Sequence, residues 1–174
     1  MKVAVISDTH GQHEKVVVPK VDLLIHCGDI SSMGTFAQVN SFLDWLINID
    51  VPNKIFVAGN HDFLLENHNN FLSFFYSQLN TNGIIYLRDQ SVKINGVKIH
   101  GSPMSPRYGN WAFMANRGND IKKYWDKIPI DTEILITHSP PAKILDLTTE
   151  NINAGCEDLL NTITGLHNLK YHLF

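Results

Sequence analysis

Residues 3–6, 23–27 and 55–58 are near-continuous apolar runs. An unbroken run of this length predicts a strand covered on both faces, in the middle of a parallel sheet. Between the second and third runs, Phe36, Val39, Leu43, Leu46 and Ile47 recur at three- and four-residue intervals, predicting an amphipathic helix over 35–48. The resulting β-α-β order calls for parallel pairing. After Asp62, the apolar positions Phe63, Leu64, Phe71, Phe74, Phe75 and Leu79 predict a helical region with its phenylalanines in the core. That region is bent or broken at 67–70 and closed by Asn82 and Gly83.

The second half changes texture. Residues 84–87 read as a strand, and 92–94 and 97–99 flank Asn95-Gly96, a pair that accepts the positive φ angles of a type I′ hairpin turn. An antiparallel pair therefore opens this half. Residues 102–118, with Pro103, Pro106, Gly109 and Trp111, form the longest irregular stretch, a surface loop with room for function. A short helix at 119–125 and a strand at 133–137 follow, and Ser139-Pro140-Pro141 forces an extended exit from that strand. A helix at 155–163 and a strand-like run at 170–174 end the pattern.

At 174 residues, without internal repeat or linker, the expectation is one domain over 1–174. Fourteen Lys and Arg against seventeen Asp and Glu give a net charge of -3, which offers no basic track for a nucleic acid polymer. Cys27 and Cys156 stand far apart without metal-site spacing and read as reduced, buried packing groups. The first apolar run is too short for a signal-peptide core or a membrane span, so the default compartment is the cytoplasm.

Four of the apolar runs lead into metal-type ligands. Asp8 and His10 follow the first, Asp29 the second, Asn60 and His61 the third, and His138 the run at 134–136. Groups at the carboxyl ends of buried strands converge on one crevice of an α/β sheet. Aspartate, imidazole and an amide oxygen together form a mixed set suited to Mn, Fe, Zn or Ni. If two such ions sit roughly 3.5 to 4 Å apart, one carboxylate must bridge them, and Asp29 is the candidate. Gly28 and Gly59 either end their strands or let backbone approach the site closely. His13, His26, His68, His100, His167 and His172 fall outside the ligand positions and read as structural or surface groups, His26 being nearest to a strand end.

Asp8-Thr9-His10, Gly28-Asp29, Gly59-Asn60-His61-Asp62 and Thr137-His138 resemble, in order and spacing, the blocks of the calcineurin-like metallophosphoesterases. His100-Gly101-Ser102-Pro103, residues 109–113 and Arg117-Gly118 further resemble the metallophosphoesterase-domain branch related to class III cyclic nucleotide phosphodiesterases. The resemblance implies an α/β sandwich of mixed β-sheets flanked by helices. It implies two metals, with Asp8 and His10 on one, Asn60 and His138 on the other, Asp29 on both, and a metal-bound hydroxide attacking phosphorus. His61 would be catalytic rather than a ligand, protonating the leaving oxygen or steadying its charge. Asp62 would orient His61 or cap the following helix. Trp111, Phe113 and Arg117 would shape a nucleobase and phosphate pocket, with Arg117 pairing to phosphate oxygens; equally, the aromatic groups anchor the loop.

The family also carries a Gly-His-x-His element after a late strand, and this sequence stops at Phe174, before it. Three expectations follow: a naturally short chain that binds metal weakly, a missing C-terminal piece, or ligands from another chain. The lost strands would open a sheet edge that a homodimer could cover. The expected activity is hydrolysis of a small phosphodiester such as a cyclic nucleotide. The competing expectation is a nucleotide-binding or regulatory protein of the same fold whose catalysis is weak or lost.

Overall fold

The computed structural model describes residues 1–67 and 69–174, with side chains described except at 67–74. Two four-stranded sheets face each other. In the first, β1 (Val3–Ile6), β2 (Leu23–His26), β3 (Asn53–Phe56) and β4 (Ile84–Tyr86) are all parallel and lie in chain order. Its register sets Ile6, His26 and Phe56 level, so three strands end at one height. The second sheet has the order β10 (Tyr171–Leu173), β9 (Ile134–Thr137), β6 (Val97–Ser102) and β5 (Gln90–Ile94). Only β5 runs antiparallel to its neighbour there. Asn95 and Gly96 both take positive φ, 50° and 82°, as a type I′ turn requires.

Strand parity builds two cores. Leu23, Ile25 and Cys27 point between the sheets, where they join Ile55, Val57, Ile99, Ile134 and Ile136. Leu24 and Phe56 point outward and join Val39, Phe42, Leu43 and Leu46 of α1 (Phe36–Asn48). Thr35 caps α1 through a capping box with Gln38. The region after Asp62 divides into α2 (Phe63–Asn67) and α3 (Asn69–Thr81). The break expected at 67–70 falls partly on residue 68, which with the side chains of Phe71 and Phe74 lies outside the described residues, while Phe75 is fully buried. His68 likewise lies outside them. Two-residue strands β7 (Ser105–Pro106) and β8 (Met114–Ala115) pair within the long loop, before α4 (Asn119–Trp125) and α5 (Glu157–Thr164). No helix among the described residues is long and apolar enough to cross a membrane.

Two expectations need correction. β1 is an edge strand, not a central one: Val3 and Val5 are 37% and 43% exposed and line a cleft with Ile134, Tyr171 and Leu173. The third strand begins at Asn53 rather than residue 55, because Lys54 enters the sheet by sending its ammonium to the Ile47 carbonyl, 3.3 Å away.

Candidate metal centre

The parallel register brings the loops after β1, β2 and β3 side by side, and backbone pairing carries on past the strand ends. The Asp8 amide donates to Gly28 O, His10 to Asp29 O and Gly11 to Ile30 O, each at 3.0 Å. Asp8, His10 and Asp29 take φ of 54°, 44° and 55°, a left-handed conformation that side-chain-bearing residues rarely adopt. Strain of this kind collects at functional sites, where surrounding contacts over-determine it.

Asp29, 3% exposed, stands at the middle. Its Oδ2 lies 3.6 Å from His10 Nε2 and 3.9 Å from His61 Nε2, while its Oδ1 lies 3.4 Å from His138 Nε2. Asp8 Oδ1 is 3.9 Å from His10 Nε2. Two donor groups result, His10 with Asp29 and His61, and Asp8 with Asp29 and His138; within each, the ligand atoms lie within 4.8 Å of one another. Asn60 joins the second group, its Oδ1 3.0 Å from His138 Nε2. Asp8, His10, Asp29, Asn60, His61 and His138 thus meet in one place.

The hydrogen bonds at the back of the rings decide what faces forward. His138 Nδ1 donates to Cys27 O at 3.1 Å, so a neutral ring turns the Nε2 lone pair toward Asn60 Oδ1 and Asp29 Oδ1. Converging lone pairs of this kind need a cation between them, either a proton or a metal, and the donor set fits a divalent transition metal. Burial opposes charge on His138, but the hydrogen bond and charge of Asp29 and the charge of Asp8 outweigh it and raise the pKa. Burial would likewise raise the Asp29 carboxyl, yet His138 and the His61 amide, donating at 2.8 Å, hold it below the ordinary carboxylate range. His61 Nδ1 donates to Ser32 O at 2.6 Å, which presents Nε2 to the same space. Its ring makes an edge contact with His10, centroids 4.6 Å apart.

Trp111 lies over His61 with ring centroids 4.4 Å apart, and the Ala112 amide donates to Asn60 O at 3.0 Å, so the long loop is tied to the centre. Arg117 is placed differently from its expected role. Its guanidinium donates to Gly155 O, Ala154 O and Glu157 Oε2, bracing the segment before α5. Asp62 neither orients His61 nor caps α2. Its fully buried carboxylate accepts from the Ile30, Ser31 and Gly59 amides and from Ser31 Oγ, clamping the β2 loop to the β3 loop. Burial pushes its pKa up against those bonds.

Sequence reasoning missed two contributors: Ser32, whose carbonyl fixes His61, and His26, bonded to Thr9 beneath the centre. Desolvation, and then the charges of Asp29 and Asp8, raise the pKa of the Tyr108 phenol. Only the position of His26 next to a ligand-bearing turn carried a signal in advance.

Among proteins of known sequence, the chain is similar to human metallophosphoesterase domain-containing protein 1, at 33% identity over 97% of this chain and 58% of that protein. A UPF0046 protein of Caenorhabditis elegans is 35% identical over 100% of this chain and 62% of its own length. The chain therefore spans about six-tenths of these relatives. A probable glycerophosphodiester phosphodiesterase of Arcobacter nitrofigilis is 27% identical over 87% of this chain and 54% of that protein. One crystal structure superposes with a TM-score of 0.71 over 98% of this chain and 82% of its own, at 15% identity, which shows a shared fold. With the family model for calcineurin-like phosphoesterases matching residues 1–172, on top of the ligand cluster at the strand ends, the chain belongs to that family.

Proposed function

We propose that this protein hydrolyses small phosphodiesters, cyclic nucleotides among them, with two divalent transition metal ions held by Asp8, His10, Asp29, Asn60 and His138. The observation that carries the reading is the position of Asp29, whose two carboxylate oxygens face different histidine groups. Family membership supports the chemistry, and the resemblance to a probable phosphodiesterase supports a diester substrate. The mixed oxygen and nitrogen set suits Mn, Fe, Zn or Ni. When bound, the ions supply Lewis acidity toward phosphoryl oxygen and lower the pKa of water.

The chain's own residues do the rest. His61, its Nδ1–H fixed on Ser32 O, holds a proton at Nε2 for the leaving oxygen when the ring is doubly protonated. Trp111, half-exposed beside His61, offers an aromatic face to a nucleobase while the phosphate meets the ligand cluster. Phosphate recognition is assigned to the centre itself, since Arg117 is engaged at the 154–157 segment.

The test is turnover of bis(p-nitrophenyl) phosphate with added Mn2+, by the wild type and by Asp29→Asn. Manganese-dependent turnover that falls at least about 100-fold in the variant supports the reading, because electrostatic groups of this kind carry that much rate. Tight nucleotide binding without turnover would make the protein a nucleotide-binding or regulatory member of its family instead.

A further inference from the structure

We propose that His26 is a positioning residue for the metal centre, one imidazole that holds both left-handed ligand turns in place; the inference rests on the metal-centre reading above. Asp8 and His10 flank Thr9, which is 8% exposed, and both take positive φ. Asp29 also takes positive φ and follows Gly28 at φ 111°. Each such residue costs on the order of 1–3 kcal/mol and persists only where its surroundings leave no alternative. His26 supplies such surroundings for both turns. Its Nδ1 accepts from the Gly28 amide at 3.2 Å, and its Nε2 lies 2.9 Å from Thr9 Oγ1.

An amide can only donate, so Nδ1 carries the lone pair, and the neutral ring has its proton on Nε2, where it donates to Thr9. The ring is fully buried and seated against the edge of Phe42, centroids 5.2 Å apart, which leaves it no room to swing. One rigid group thus reaches the residue between Asp8 and His10 and the residue before Asp29. Without it, Thr9 loses its anchor, the two flanking residues relax toward ordinary backbone, and the donor atoms separate.

The brace divides into two halves that can be removed separately. His26→Asn keeps an acceptor for the Gly28 amide, in the manner of an Asx turn, but cannot reach Thr9. Thr9→Val removes the hydroxyl at nearly constant shape. His26→Phe removes both bonds and keeps a flat ring. The full chain is titrated with Mn2+ alone by calorimetry, and urea unfolding is measured in parallel. His26→Phe should weaken Mn2+ binding at least about 10-fold, in the range seen when partners that orient metal ligands are lost. His26→Asn and Thr9→Val should each give a smaller loss, and the double variant no more than either alone, since both remove the same bond.

A merely structural histidine would lower the urea midpoint and leave the Mn2+ affinity of the folded protein unchanged. Unchanged affinity in Thr9→Val therefore overturns the proposal, even if His26→Phe fails to fold. A long-range 1H–15N spectrum of the metal-free protein gives a readout independent of the ion. It should show His26 protonated at Nε2 and bare at Nδ1, and the opposite tautomer overturns the proposal. A wild type that takes up no Mn2+ overturns the metal-centre reading along with this one, whereas wild-type uptake with no loss in Thr9→Val overturns this one alone.

Discussion

Gly59 is where backbone shape and ligand chemistry meet. A methyl group there would overlap Asp29 Oδ1 and the Asp29 amide and would stand 2.8 Å from His138 Cε1. The absence of a side chain is what lets the β3 loop lie against the Asp29 carboxylate, so the glycine serves close approach rather than strand termination. Gly59→Ala should destabilise the protein by about 1–3 kcal/mol, the usual cost of overpacking. It should also weaken Mn2+ binding about 10-fold or more, because Asp29 and His138 must both move. Calorimetric titration beside urea unfolding checks this, and a variant with wild-type affinity would refute the assignment of Asp29 as the shared ligand. The residue types at 8, 10, 29, 60, 61 and 138 were legible in the sequence because each follows an apolar run. Ser32 was not, because a backbone carbonyl leaves no trace in residue type.

Among elements, the loop after β2 and the loop after β3 are held together by one carboxylate. Asp62 collects four hydrogen bonds from Ile30, Ser31 and Gly59 inside the protein. Asp62→Ala would leave buried donors unpaired at about 1–3 kcal/mol each, and we expect a total loss of about 3 kcal/mol or more in urea unfolding. A loss below about 1 kcal/mol would mean that water replaces the carboxylate at little cost. Sequence pattern could not reveal this brace, since Ile30 and Ser31 lie about thirty residues away in a different loop. The α1 helix, in contrast, was legible to within a residue, as its apolar spacing is a local signal. The same limit explains β1. An apolar run reports the hydrophobicity of a strand and not whether a neighbour pairs with it, so Val3 and Val5 read as central while lying at an edge.

At the scale of the molecule, folding buries neutral histidines outside the ligand set, and acid stability should show it. His100 on β6 and His172 on β10 both sit level with Leu135 on the strand between them, so they share one face of the second sheet. Ser91 Oγ meets His100 Nδ1 at 2.9 Å, and Thr137 Oγ1 meets His172 Nε2 at 2.8 Å. Burial lowers each ring to about 4. The unfolded chain, with histidines near 6.5, takes up protons first as the pH falls. The stability these groups contribute is therefore complete above about pH 6.5 and is lost as the pH drops toward 4. For His100, only 1% exposed, the loss between pH 7 and pH 5 is about 2 kcal/mol. His172 adds a loss of the same sign. Urea unfolding at the two pH values should show a smaller fall for His100→Gln than for the wild type, by about 2 kcal/mol, whatever the variant does to stability at pH 7. An unchanged fall would mean that His100 is already charged in the folded sheet, with its second nitrogen, Nε2, satisfied by a partner that the packing does not supply among the described residues.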